Sequence, residues 1–178
     1  HVELMIRNQP AEETLTMLKL GELDFGLRSP KAVPSGCDYR RWKTFDRVLI
    51  APRNHPAIKQ DRITLKSLSQ QPFVMPWKQS TTRQLVEKAF EAAGLQYRIA
   101  LEAGGFEVIK RYAALGLGIA VVPEFCLKPE DRKQLASRSV RHLFDADEYG
   151  VITKHGRQLS QAAKMLIKEI DPGFSNEE

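Results

Sequence analysis

An α/β fold with a largely parallel sheet is what the sequence predicts, and three observations carry that expectation. Strand and helix signals alternate from one end of the chain to the other. Short apolar runs such as Val48-Leu49-Ile50-Ala51 and Ile119-Ala120-Val121-Val122 read as buried strands. Helical patterns stop at glycines, at Gly21, Gly94 and Gly116, which tolerate the backbone reversal after a last turn.

Taken in order, Val2, Leu4 and Ile6 alternate with Glu3, Met5 and Arg7, predicting a first short strand already under way. Pro10 suits a first helical turn, and Ala11, Leu15 and Leu18 share one helical face. Leu23, Phe25 and Leu27 alternate as the next strand. Pro30, Pro34 and Gly36 mark a loop, and the basic patch Arg40-Arg41-Trp42-Lys43 is expected to be solvated loop too. The run to Pro52 is a strand broken by Asn54-His55-Pro56. Ile63, Leu65 and Leu68 form a short packed element, and Phe73-Val74-Met75 a further strand. A helix bearing Leu85, Val86, Ala89, Phe90 and Ala93 follows. Tyr97 to Leu101 reads as strand, Gly104-Gly105 as turn, and Val108, Ile109 and Tyr112 as helix. Tyr149 to Thr153 is a last strand, and Ser160 caps a final helix that Asp171-Pro172-Gly173 stops.

Bulk properties narrow the class. The 178 residues suit one ordinary domain or two small lobes. A 42% hydrophobic and 28% charged composition is that of a globular protein. No stretch approaches the roughly 18 apolar residues of a membrane span. The start resembles no signal peptide, and is expected to lie inside a larger protein. Net charge is +5, from 27 basic and 22 acidic residues, but the basic residues are scattered rather than clustered on a face for nucleic acid. Cys37 and Cys126 stand in no metal or redox spacing, the pattern of a reduced, cytosolic setting. Cys126 reads as a small packed residue.

The most informative local feature is Ser80-Thr81-Thr82-Arg83. Thr81 and Gln84 have the spacing of a capping box, and the helix start that they mark points free N–H groups and the positive dipole end outward. With three hydroxyls and the Arg83 cation this makes a candidate anion pocket, set against the plainer reading of an ordinary N-cap. Its place after a sheet strand favours the pocket, because ligands of α/β folds gather at strand C-terminal ends. Gly104-Gly105-Phe106 opens the next helix similarly, serving either close approach to a ligand or a tight turn. Enzyme signatures are missing. The four histidines have no metal-ligand spacing, and there is no nucleophile elbow or phosphate loop. Asp24, Glu102 and Glu107 are possible acid–base groups without a supporting pattern, while Asp145 and Asp147 read as solvated loop.

Three stretches together resemble the effector-binding domain of LysR-type transcriptional regulators. They are Leu20-Gly21-Glu22-Leu23-Asp24-Phe25-Gly26-Leu27, Val48 through His55-Pro56, and Val108-Ile109 through Gly116-Leu117-Gly118 to Pro123. Phe73 to Gly94 and Val108 to Gly118 look closest to regulators of cysteine and sulfur assimilation. The resemblance implies a two-lobed fold similar to type 2 periplasmic binding proteins, with mainly parallel sheets and two crossover strands. Residues 1–48 and 144–178 would form one lobe and 49–143 the other, with a small effector, an anion by the local chemistry, between them. It implies ligand contacts at Ser29, Thr44 and Thr81 with Thr82 beside it, joining Ser80, Arg83, Gly105 and Phe106 from the local reading. It also implies a cytoplasmic homodimer without metal, cofactor, membrane or enzymatic role. DNA would be bound only through a winged helix-turn-helix that this chain lacks. The family's opening strand and helix are also expected to be missing. A transport solute-binding protein is the alternative, and a phosphoribosyltransferase-like enzyme is disfavoured because no phosphate loop is present.

Overall fold

The computed structural model describes residues 2–9, 11–29 and 33–174, which divide into two compact units. Unit 1 comprises His1–Thr44 and Glu148–Glu178, and unit 2 comprises Phe45–Asp147.

In unit 2 the apolar runs become strands covered on both faces. β3 (Arg47–Pro52) pairs antiparallel with β6 (Ala120–Pro123) on one side and β7 (Leu135–Ser139) on the other. β4 (Pro72–Pro76) and β5 (Arg98–Ala103) form a parallel ladder, and a parallel bridge between Phe73 and Ile119 joins it to the β6 side. Period-two alternation distributes these side chains. Leu49, Ala51, Phe73, Met75, Ile119 and Val121 fill one cluster, with Val86 and Phe90 of helix α4 (Thr81–Ala92) packed into it. Val48, Ile50, Val74, Ala120 and Val122 fill the other, against Ile109 and Ala113 of helix α5 (Phe106–Ala114). The short helices α2 (Pro56–Lys59) and α3 (Leu65–Ser69) lie in the chain between β3 and β4. His55 does more than break β3: its Nδ1 caps α2 by accepting from the Ala57 amide at 3.2 Å.

Unit 1 carries the edge-to-edge order β1-β8-β2, with β1 (Gly26–Arg28) antiparallel to β8 (Asp147–Lys154) and β2 spanning Cys37–Phe45. Helix α1 (Ala11–Leu20) ends at Gly21 with φ of 81°, and Leu18 packs with Cys37 and Ile152. Ser160 caps α6 (Gln161–Ile170) by accepting from the Ala163 amide at 3.1 Å, as its sequence predicts.

Five expectations need correction. Val2–Ile6 forms no strand; these residues stand exposed without a ladder partner, and alternation makes no strand until its backbone groups are paired. Leu23 and Phe25 precede the following strand, which shortens to Gly26–Arg28. The Arg40-Arg41-Trp42-Lys43 patch lies in β2 rather than in a loop, where Arg41 Nε pairs with Glu148 Oε2 of β8 at 3.0 Å. The sheets are mixed: the parallel pairing expected to predominate is found for β4, β5 and the β6 bridge, while β3 and β1 pair antiparallel. Asp147 is buried, at 4% exposure, not solvated. It opens β8 and pairs with Arg47, which opens β3 and also donates to the Asp145 carbonyl. Burial pushes the Asp147 carboxyl up, against the opposing pull of Arg47. Pro10 and Pro30 fall outside the described residues.

Two consequences can be measured by denaturant unfolding. Asp147→Ala strands a buried guanidinium and is expected to cost about 3–5 kcal/mol, whereas joint Arg47→Met and Asp147→Leu replacement should be close to neutral. Equal losses from both changes would refute this account. Gly118→Ala places a Cβ 2.5 Å from the Pro72 carbonyl oxygen, where backbone must move, and should destabilise by about 1–3 kcal/mol.

Candidate functional site

The parallel register of β4 and β5 sets Pro76 opposite Ala103, so both strands end at one level. Trp77 follows the first and Gly104 the second, and helices α4 and α5 begin a few residues later. Two helix N-termini therefore open side by side in unit 2, and their first-turn N–H groups lack intrahelical acceptors.

At α4 the N-cap is Ser80, one residue earlier than the Thr81–Gln84 spacing predicts, and no side chain caps it. The capping box is thus not formed. The Gln84 amide donates to the Ser80 carbonyl at 3.1 Å, and its side chain reaches the Lys78 carbonyl at 3.4 Å. Thr81 is the first helical residue and half-buried, and Thr82 is buried. At α5 the N-cap is Gly105, again without a side-chain cap; its φ of 82° is a left-handed conformation that favours glycine. The Phe106 side chain packs against the cluster around Ile109.

Arg83 sits differently from its sequence reading as a cation facing the pocket. It is 2% exposed, its Nε contacts Glu87 Oε1 at 2.5 Å, and its Nη1 contacts Glu102 Oε1 at 3.1 Å and the Pro76 carbonyl at 3.3 Å. Burial alone would lower its pKa, and the two carboxylates outweigh that and raise it. This guanidinium ties the first turn of α4 to the ends of β4 and β5. Ser29 follows β1 and Thr44 lies near the end of β2, both in unit 1; the Thr44 hydroxyl accepts from Arg41 at 2.9 Å.

The acids considered for catalysis are engaged structurally. Glu102 holds Arg83, Asp24 meets Arg157 at 3.3 Å, and Glu107 meets Lys110 at 3.1 Å. Lys110, a buried ammonium that sequence reasoning missed, also contacts Asp131 at 2.6 Å and the Cys126 carbonyl at 2.8 Å. Its only sequence sign is a lysine within an apolar helical face. Burial pushes the Cys126 thiol up to about 12, as befits a packed, inert side chain. Among the described residues no cluster of acids, histidines and cysteines fits a metal ion, and no helix is long and apolar enough to cross a membrane. Trp77 is the other residue the sequence reading passed over. It is 60% exposed directly beside both helix starts.

The chain is similar to known transcription regulators. The HTH-type transcriptional regulator cbl of Escherichia coli is 30% identical over 176 residues, 98% of this chain and 55% of the regulator. SsuR of Burkholderia cenocepacia is 27% identical over 99% of this chain and 58% of its own length, so the chain spans a little over half of these relatives. CysB of the same Burkholderia is 31% identical over 69% of this chain and 39% of its own length, in line with the resemblance to sulfur-assimilation regulators. The solved cofactor-binding domain of the Cbl regulator has a TM-score of 0.84 at 29% identity, covering 94% of this chain and 74% of that one. The Synechocystis CcmR regulatory domain in complex with 2-PG has a TM-score of 0.79 at 26% identity, covering 94% and 81%. These relatives are transcription regulators, which sets aside the transport-protein alternative. The model for the LysR substrate binding domain matches residues 1–174, and the chain belongs to that family.

Proposed function

We propose that the chain is the effector-sensing domain of a longer, cytoplasmic, homodimeric transcription regulator, and that it binds a small anion at the start of α4 without transforming it. DNA would be read by a part of the protein outside this chain. The observation that carries the anion reading is the pair of helix starts, neither capped by a side chain, at the aligned ends of parallel strands β4 and β5. The related CcmR domain was solved with 2-PG, which supports a small ligand of this kind.

In this reading the charge is met by backbone N–H groups at Thr81 and Thr82 and by the hydroxyls of Ser80, Thr81 and Thr82. Gly105 and Phe106 contribute their backbone N–H groups. Arg83 holds the helix start in place rather than touching the anion, because Glu87 and Glu102 occupy its guanidinium. Ser29 and Thr44 are proposed effector contacts on the family resemblance alone. Binding would act on transcription by favouring one conformation of the regulator over another.

Thermal unfolding of the chain against sulfate, phosphate and small carboxylates, with Thr81→Ala in parallel, tests this. A binding anion at about 100 times its dissociation constant should add roughly 2.7 kcal/mol of stability, and the mutant should lose most of it. Stabilisation by uncharged compounds only, or an anion effect unchanged in Thr81→Ala, would sink the assignment.

A further inference from the structure

We propose that Trp77 is a specificity-determining residue that selects anions joined to a flat or apolar body over bare inorganic ones; this rests on the anion site proposed at α4. Single exposed apolar side chains are common and need no explanation in themselves. The setting of Trp77 is what singles it out. Because Pro76 pairs with Ala103, Trp77 and Gly104 are the first residues beyond two aligned strand ends. The six-membered ring of the indole lies against Gly104, so closely that a Cβ there would come within 2.8 Å of both Cη2 and Cζ2. The Trp77 carbonyl accepts from the Ser80 amide at 2.9 Å, which fixes its backbone to the N-cap of α4.

The two adjacent glycines separate the causes. Gly105 has a positive φ, 82°, and open space where a Cβ would stand. Gly104 has no positive φ, so its backbone does not call for glycine. What a side chain at 104 would meet is the indole. One glycine therefore turns the chain into α5, and the other seats Trp77. An indole held along one edge and 60% exposed offers a rigid, polarisable surface with little left to order on binding. Beside N–H groups that fix a charge, such a wall favours a ligand with an anionic end and a planar or apolar remainder.

The test uses inorganic phosphate and phenyl phosphate, which share a headgroup and differ in the body, titrated calorimetrically into the 178-residue chain. Phenyl phosphate should bind about tenfold more tightly than phosphate, the scale expected for one aromatic contact. Trp77→Ala should bring phenyl phosphate down to the level of phosphate while leaving phosphate itself unchanged, and Trp77→Phe should restore most of the preference. The chain has two tryptophans, so in a Trp42→Phe background the emission of Trp77 alone should respond more to phenyl phosphate than to phosphate. Gly104→Ala, which displaces the indole without removing it, should reduce the preference as well. The proposal is overturned if the wild type shows no preference, or if Trp77→Ala weakens both anions equally or neither. Binding of neither anion to the wild type overturns the α4 anion site and the role of Trp77 with it, an outcome distinct from phosphate bound without discrimination.

Discussion

Unit 2 depends on the enclosure of β4. β5 pairs along one edge of that strand. On the other, the Val74 amide donates to Ile119 and the Ile119 amide to Pro72, each at 2.8 Å. Phe73 and Met75 are buried in one cluster and Val74 in the other. A strand closed on both faces has no place for a solvated polar group along its length, so polar chemistry is pushed to its ends. Parallel pairing then brings the end of β5 to the same level, and the helices that return the chain must start there. The position of the candidate site is thus a consequence of core packing. Gly118 belongs to the same constraint, since the chain entering β6 passes too close to Pro72 for any side chain.

Burial also decides which charges are available to a ligand. The buried charged residues of unit 2, Arg47, Arg83, Lys110 and Asp147, all contact opposite charges within it. Arg83 stands nearest the candidate site in sequence and meets two carboxylates, so this cluster brings no surplus positive charge to the α4 start. An anion there would rely on oriented N–H groups and hydroxyls. Such donors hold an anion through the fixed directions of backbone N–H groups rather than through a full countercharge.

The legibility of the sequence followed how local each cause was. Runs such as Val48 to Ala51 and Ile119 to Val122 announce burial through composition alone, and the α5 and α6 patterns carry their own stops or caps. β2 was hidden because its tyrosine, arginines and lysine are tolerable only at a sheet edge beside Glu148, more than a hundred residues away in the chain. β7, Leu-Ala-Ser-Arg-Ser, has little apolar signal and exists because β3 offers it an edge. Asp147 looked solvated for the same reason: its partner, Arg47, is 100 residues away. Val2 to Ile6 shows the converse, a strand-like pattern that pairs with no strand among the described residues.

At the site itself the residue types were readable and their roles were not. Ser80, Thr81 and Thr82 are all competent N-caps, and only the point where β4 releases the chain selects Ser80 as the cap position. Arg83 carries the same charge whether it faces a ligand or Glu102, and the register of β5 decides between them. Gly104 and Gly105 are identical letters answering different demands, space in one case and backbone conformation in the other. Each distinction depends on where the ends of β4 and β5 fall relative to one another. A one-residue change in that register would part Trp77 from Gly104 and Arg83 from Glu102 together, so the indole and the guanidinium are positioned by the same ladder that aligns the helix starts.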